Sequence, residues 1–337
     1  MVLTNNLKVG IVGCGLIGNK RAKCLPKGAL RWCVDINYES ARSMANQYHT
    51  EDQRVMICNE LSSDLLHLVD IVIVSTPNAY LAENATMALG MNKHVLIEKP
   101  AGISSKEILK MFVSSHSSKV AVVGYNHRFH PSIIKAKKLI HSEAVGEITH
   151  INCYYGHGGA WLATNDQWRL NDAISGGGDL IDKASHLIDL SKYLLEKELS
   201  VAYSEISTRF YNVPLEDNSF LILESEGKQR AYLQTSCTDW KNTFRLEIFG
   251  TVGKIKIEGL GGSYGVEKIT LYKMLPDKQK PEIYSWEFLE DNSFEEEWKQ
   301  FMLGISAKKT LQCASLIDAY DTMRTIDMAY EVANDNS

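Results

Sequence analysis

Three groups of residues in this sequence have types and spacings that could do chemistry. The first is Gly13-Cys14-Gly15-Leu16-Ile17-Gly18, a G-x-G-x-x-G run. Glycine at 13 allows a tight turn, glycine at 15 lets the backbone approach a pyrophosphate, and glycine at 18 lets a helix pack close to a strand. The phosphates of a dinucleotide would then meet the unpaired N–H groups of the helix N-terminus. An ordinary glycine turn is the alternative. Asp35 follows 22 positions after Gly13. A carboxylate there accepts hydrogen bonds from a ribose and repels a 2′-phosphate, which favours NAD over NADP. Otherwise it is a turn aspartate. Arg42 lies too far along the next helix to clamp a 2′-phosphate.

The second group is Glu98-Lys99-Pro100. The residue before a proline is disfavoured in helix, so Lys99 is expected on an extended turn. An ammonium beside a carboxylate at a sheet edge could exchange a proton with a substrate hydroxyl; a solvated surface lysine is the plainer reading. The third group is the run Gly176-Gly177-Gly178-Asp179-Leu180-Ile181-Asp182-Lys183-Ala184-Ser185-His186. Asp182 and His186 are four apart and share one face if the segment is helical. A carboxylate and an imidazole together can bind a sugar hydroxyl and assist proton transfer. They could also be a hydrogen-bonded helix pair, or two metal ligands. No third ligand stands at a fixed spacing, so no metal is expected.

The elements that must position these groups fall into two styles. Up to about residue 124, apolar runs (Leu7–Val12, Leu30–Asp35, Ile71–Ser75, His94–Ile97, Val120–Gly124) alternate with helical patterns. Helices are read around Glu39–Tyr48, Ala79–Leu89 and Lys106–Ser114. This predicts a doubly wound parallel sheet covered on both faces, with the glycine loop directly after its first strand. In such a fold ligands bind at the carboxyl edge of the strands, where Lys99 would stand. After Gly124 come a helix (Ser132–His141), a strand (Ile148–Tyr155), a loop rich in Gly, Trp and Asn, and a helix over Asp179–Leu195. Alternating strands then run from Val201 to Tyr284, and helices return at Ser293–Gly304 and Cys313–Ala333. The expectation is an α/β domain over residues 1–124 for the cofactor. An α+β domain over 125–337, an open and mostly antiparallel sheet flanked by helices, is expected to follow and to carry the substrate.

The motifs occur in an order that resembles the glucose–fructose oxidoreductase / inositol dehydrogenase / MocA family. They are the glycine loop, Thr76-Pro77-Asn78, Glu98-Lys99-Pro100, Gly124-Tyr125-Asn126-His127-Arg128-Phe129, Trp168-Arg169 and the Asp182-x-x-x-His186 helix. The likeness runs from about residue 7 to about residue 330, including Ser293-Phe294, Glu297 and Phe301 near the end. It implies a Rossmann domain that binds NAD through Gly13, Gly15, Leu16, Ile17, Gly18 and Asp35. It also implies catalysis by Lys99, Asp182 and His186, with Lys99 or His186 as the acid/base. Thr76, Pro77, Asn78 and Glu98 correspond to cofactor-side positions, Lys99 to one touching both nicotinamide ribose and substrate, and Asn126, Trp168 and Arg169 to positions near the nicotinamide. The Lys99–Pro100 bond is often cis in the family. Two positions depart from its pattern. Leu81 stands where a histidine is common, and Lys183 occupies a variable position, read as exposed or packed, or else as meeting an anionic substrate group.

Among the remaining features, His127, His130 and His141 are read as exposed or capping. Tyr154, Tyr155, His157 and Trp161 could line a sugar pocket, and Glu295-Glu296-Glu297 is read as a solvated helix start. The 337 residues suit two domains, and a net charge of −5 leaves no electrostatic footprint for nucleic acid or an anionic membrane. Seven scattered cysteines with no C-x-x-C pair suggest reduced thiols in a cytoplasmic protein. No signal peptide or membrane span is expected. The resulting expectation is an NAD(H)-dependent oxidoreductase moving a hydride between nicotinamide and a secondary alcohol of a sugar. A nucleotide-linked or surface-polysaccharide precursor is preferred on the strength of the Gly156–Trp168 loop and Lys183. The rivals are a free polyol or inositol-type dehydrogenase, redox-assisted glycoside cleavage, and a non-catalytic NAD sensor. The resemblance further implies a homodimer or homotetramer built on the open sheet face.

Overall fold

A computed structural model of the chain describes residues 7–158, 167–210, 213–274 and 280–335. Trp161 and most of the Gly156–Trp168 loop lie outside the described residues. The chain forms two compact units that are not contiguous in sequence. The first takes in residues 1–125, 173–176 and 294–321, and the second residues 126–172, 177–293 and 322–337.

The first unit is the doubly wound domain. Its strands are β1 (Val9–Val12), β2 (Leu30–Val34), β3 (Met56–Cys58), β4 (Ile71–Val74), β5 (His94–Glu98), β6 (Ala121–Gly124) and the late two-residue β15 (Ala314–Ser315). They lie in the order β15-β6-β5-β4-β1-β2-β3. β1 to β6 run parallel and β15 antiparallel. Ile11, Ile71–Val74 and Val95–Ile97 are all fully buried, as strands covered on both faces must be. The strand order reverses between β1 and β4, which opens a crevice at the carboxyl edge beside the glycine loop. Helix α1 (Leu16–Lys23) springs from that loop, and α2 (Tyr38–Tyr48) is capped by the Asn37 side chain, which accepts from the N–H groups of Glu39 and Ser40.

The second unit holds an eight-stranded sheet of β7 (Ile148–Gly156), β8 (Ser200–Ser207), β9 (Asn218–Glu224), β10 (Arg230–Ser236), β11 (Thr243–Gly250), β12 (Gly253–Glu258), β13 (Glu267–Lys273) and β14 (Glu282–Phe288), in the order β14-β13-β12-β11-β7-β10-β9-β8. Its central strand β7 (Ile148–Gly156) pairs antiparallel with β11 (Thr243–Gly250) but parallel with β10 (Arg230–Ser236), so the sheet is mixed at its centre. Residues alternate along each strand. Ile151, Cys153, Leu233, Leu246 and Ile248 are buried on the face that carries helices α6 (Pro131–His141) and α8 (Ser185–Leu195). The other face presents His150, Tyr203, Phe220 and Tyr232, and the last three are exposed. Among the described residues no helix is long and apolar enough to cross a membrane.

Candidate active site

The glycine loop has the geometry its spacing requires. Gly13 adopts φ +91°, and a Cβ there would stand 2.4 Å from the Ser75 carbonyl oxygen. A Cβ at Gly18 would stand 2.0 Å from the carbonyl oxygen of Gly13, so α1 packs on the loop only without a side chain. Gly15 differs, because an added Cβ would meet nothing within 4 Å. The space in front of it is open, and among the described residues no neighbour explains a glycine there. Asn19 braces the loop by donating from its side chain to the carbonyls of Cys14 and Gly15, both at 2.9 Å. Leu16 is exposed, and α1 has no acidic residue in its first turn to compete with an anion.

Asp35 ends β2 beside this loop. Its Oδ2 accepts from the Cys14 N–H at 2.7 Å and its Oδ1 from the Asn37 N–H at 2.8 Å. Each carboxylate oxygen keeps a lone pair for a ribose hydroxyl. Ile36, the next residue, is 92% exposed, an apolar surface at the point where an NADP-binding chain would carry a cation. Arg42 is exposed and pairs with Glu39 at 3.5 Å, outside the loop.

Register aligns the carboxyl ends of the strands. Val12 is level with Val34 and Val74, and Val74 with Ile97. The residues that follow therefore line one edge in the order Asp35, Gly13, Ser75 and Thr76, then Glu98 and Lys99. At about 4.8 Å per strand, the three steps from Asp35 to Lys99 span roughly 14 Å. Thr76 has a buried hydroxyl with no hydrogen-bond partner among the described residues. Pro77 leads into the short turn Asn78–Tyr80, and Asn78 is buried with its amide donating to the Ser175 carbonyl at 2.8 Å. The Lys99–Pro100 bond is cis. Glu98 is buried, and its Oε1 receives the Arg21 Nε at 2.6 Å. Arg21 also donates to Glu297 at 2.5 Å, so the carboxylate beside Lys99 is committed to an internal ion pair.

In the second unit, the helix carrying Asp182 and His186 begins with a wide π-helical turn, Leu180–Ala184, before regular α8. The sequence suggests an unbroken α-helix. The difference has a local cause: Glu216 accepts from the Gly178 N–H at 2.8 Å and the Leu180 N–H at 3.1 Å, fixing the helix entry ahead of the first α turn. The Tyr330 hydroxyl donates to the same carboxylate at 2.8 Å. Burial raises the Glu216 carboxyl above its ordinary range despite those donors. A Cβ at Gly177 would lie 2.2 Å from the Tyr330 hydroxyl and one at Gly178 2.1 Å from the Glu216 carbonyl oxygen, which explains the glycines at those two positions. Turns of this kind recur at functional sites. Asp182 stays partly exposed, while His186 is buried and stacks on His127 with ring centroids 3.8 Å apart and planes 14° apart. Asn126 donates to the Ser293 hydroxyl at 2.9 Å, and Arg169 lies over the Trp168 ring at 4.4 Å.

Several expectations need correction. Glu297 is fully buried against Arg21 rather than part of a solvated helix start. His127 and His130 are buried rather than exposed; His130 stands at the N-cap position of the helix Pro131–His141 but makes no side-chain cap bond, its Nδ1 lying 3.0 Å from Glu267, whose other oxygen receives the Ser132 N–H. Lys183 takes the packed one of its expected roles, bound inside the unit rather than exposed. It is 4% exposed, bonded to Asp179, with Cys237 Sγ at 3.2 Å. Burial opposes its charge, yet Asp179 holds the ammonium above its ordinary range. Arg21 and Glu216 escaped sequence reading for different reasons. Arg21 stands three residues beyond Gly18, on the face of α1 that packs inward, and that position was a usable signal. Glu216 lies 34 residues beyond Asp182 with no pattern around it.

Two family models match the chain in succession. Residues 7–127 match the oxidoreductase family with an NAD-binding Rossmann fold, and residues 133–256 match the Gfo/Idh/MocA C-terminal domain. The chain belongs to the Gfo/Idh/MocA oxidoreductase family. It is 29% identical over 226 residues to a levoglucosan dehydrogenase of Pseudarthrobacter phenanthrenivorans, covering 63% of this chain and 56% of that protein. It is 32% identical over 197 residues to glucose-6-phosphate 3-dehydrogenase of Bacillus subtilis, covering 57% of this chain and 54% of that protein. These matches thus span little more than half the length of either relative. The fold is also that of a levoglucosan dehydrogenase solved with NADH and levoglucosan, at TM-score 0.84 and 22% identity, covering 99% of this chain and 98% of that one. The first unit of this family member therefore contains an NAD-binding Rossmann domain, and its residues fit the cofactor: open backbone at Gly15, a helix N-terminus without an acid, and a ribose-type carboxylate at Asp35.

Proposed function

We propose that this family member is an NAD(H)-dependent oxidoreductase of a secondary alcohol on a neutral sugar or cyclitol ring. The observation that carries the reading is the edge order Asp35, Gly13, Thr76, Lys99 across four adjacent strands. It matches an extended dinucleotide with its adenosine ribose at Asp35 and its nicotinamide end at Lys99. When bound, the nicotinamide exchanges a hydride at C4. Asp35 and the glycine loop bind and orient, Ile36 offers an apolar surface to the adenine, and Thr76, Pro77, Asn78, Asn126, Trp168 and Arg169 are cofactor-side residues. Lys99 or His186 takes the hydroxyl proton, and Asp182 holds a substrate hydroxyl. Glu98 acts through Arg21, as a support for the Lys99 turn.

The preference for a nucleotide-linked or surface-polysaccharide precursor had Lys183 as one of its two supports. That ammonium is engaged by Asp179, which moves the preference to an uncharged ring. A phosphorylated or nucleotide-linked sugar stays as the second reading, favoured by the likeness to glucose-6-phosphate 3-dehydrogenase. The deciding experiment is NAD reduction by the purified protein with levoglucosan, glucose, myo-inositol, glucose 6-phosphate and UDP-glucose. Turnover on a neutral ring, reduced by roughly 10²–10⁴-fold in Lys99→Ala with NAD binding kept, is the expected result. Tight NAD binding without turnover on any of them would support the sensor reading. Cleavage of an aryl glycoside with only catalytic NAD would support redox-assisted hydrolysis.

We also propose that the exposed sheet face with Tyr203, Phe220 and Tyr232 packs against a second copy in a homodimer or homotetramer. Sedimentation equilibrium tests this, and a monomer at micromolar concentration would sink it.

A further inference from the structure

The helix that carries Asp182 and His186 is capped from a distant part of the chain. The first amides of any helix lack a helical partner. Here three in succession go to one residue. Glu216 takes the Gly178 and Leu180 N–H groups on its side-chain Oε1, at 2.8 and 3.1 Å, and the Asp179 N–H on its backbone oxygen at 3.0 Å. It stands just ahead of β9, 36 and 38 positions from the two residues its side chain holds. The Tyr330 hydroxyl is a further donor to Oε1, at 2.8 Å. Gly177 and Gly178 leave the room that Tyr330 and Glu216 fill. Helical bonding takes over at once, where the Asp182 N–H meets the Gly178 carbonyl at 3.1 Å.

The π turn Leu180–Ala184 follows directly, with Asp182 at its middle and His186 as the second residue of α8. Such a turn takes in about one residue more than an α turn. Each residue advances about 100° round an α-helix axis. Relaxing the segment to an unbroken α-helix would therefore swing Asp182 by roughly that angle relative to His186. In the structure both border Tyr155. The His186 ring is 6.3 Å from the Tyr155 ring, and the phenol is raised by burial, then by Tyr264 and the Asp182 carboxylate.

We propose that Glu216 is a positioning residue for Asp182 and His186: the cap it forms with Tyr330 preserves the π turn, and with it the angle between those two side chains about the helix axis. This rests on the reading of the pair as the site's hydroxyl-binding and proton-transfer residues. The side-chain donors all converge on Oε1, so the cap needs an acceptor of this shape and not a charge. Burial raises the Glu216 carboxyl, but a proton taken up on Oε2 leaves Oε1 an acceptor.

The test compares Glu216→Ala, Glu216→Gln and Tyr330→Phe in the full chain. Two readouts need no sugar: backbone amide exchange over residues 178–186, and the His186 ring resonances by NMR, assigned through His186→Gln. In Glu216→Ala the amides of Gly178 to Asp182 exchange at least about tenfold faster while β7 and β11 keep their protection, and the His186 resonances move. Glu216→Gln, with its amide oxygen in the Oε1 position, restores both. Tyr330→Phe gives the same changes in smaller measure, and carries the comparison should Glu216→Ala not fold. On a sugar that the wild type oxidises, kcat falls roughly 10–100-fold in Glu216→Ala with NAD affinity unchanged, and recovers in Glu216→Gln. Exchange and ring resonances that ignore the loss of Oε1, or a Gln variant as disturbed as the Ala variant, would overturn the proposal. If both readouts respond and the wild type oxidises no sugar, the cap stands and the dehydrogenase reading falls. A full kcat in Glu216→Ala does the reverse.

Discussion

Arg21 and Glu98 are joined inside the first unit by a hydrogen bond of 2.6 Å, with the guanidinium residue 1% exposed. Burial works against that charge, but Glu297 and Glu98 together hold the guanidinium above its ordinary range. The pair ties helix α1, which begins at the glycine loop, to the last residue of β5, and so to the turn that carries Lys99. Removing the cation leaves two buried carboxylates facing each other. Arg21→Met is expected to cost about 3–5 kcal/mol, read as a fall in the urea midpoint. Arg21→Lys keeps a charge but loses the fork that reaches both acids, and should recover only part of the loss. A loss under about 1 kcal/mol in Arg21→Met would show that the triad is not coupled to folding.

Asp35 gives a second expectation. Its carboxylate already accepts two backbone N–H groups, so it is rigidly aimed before any ribose arrives. Asp35→Ser should weaken NADH binding by roughly 10–100-fold, the worth of one or two charge-assisted hydrogen bonds. NADPH binding should hardly fall, since the repulsion of its 2′-phosphate goes at the same time. Fluorescence titration with both reduced cofactors measures the ratio. A parallel tenfold drop for both would mean that Asp35 shapes the loop and does not read the ribose.

The legible parts of the fold were those set by local pattern. Buried parallel strands are apolar throughout, so β1, β2, β4, β5 and β6 stood out to within a residue or two. Gly13 and Gly18 carry their own steric explanation in the backbone around them. The illegible parts were long-range charge pairs. Nothing local tells that Glu297 will meet Arg21, 276 positions away, instead of water. The same holds for Lys183, whose partner Asp179 was visible one turn earlier but which also meets Cys237, in the bend just after β10 and 54 positions away. His127 was read as exposed or capping because it borders a helix in the sequence, and its burial is created by rings from β7, β11 and the Asp182 helix.

His94 makes stability in this chain depend on pH. The ring is buried at the start of β5, and its Nδ1 accepts the Val120 N–H at 3.0 Å. Burial, and then the nearby Lys119, hold it down to about 4. The unfolded chain protonates near pH 6.5, so below that value it takes up a proton that the folded chain refuses. This contribution to stability is therefore complete above about pH 6.5 and is lost as the pH falls toward 4. Urea midpoints at a series of pH values should drop across that window in the wild type and drop less in His94→Gln. Identical slopes would assign the acid loss to other groups.

Lys183 decides between two views of substrate charge. Its ammonium is buried between Asp179 and Cys237, and burial pushes that thiol well above its ordinary range. A lysine held in this way supports the helix entry rather than reading a phosphate. Lys183→Met should strand the Asp179 carboxylate and cost about 3–5 kcal/mol, and adding Asp179→Asn should restore most of it. The doubly substituted protein should keep the wild-type ratio of rates on glucose and glucose 6-phosphate, because neither side chain touches the sugar in this reading. If Lys183→Met instead folds normally and loses only the phosphorylated or nucleotide-linked substrates, then Lys183 leaves Asp179 when an anion arrives. The charged sugar would then be the true substrate.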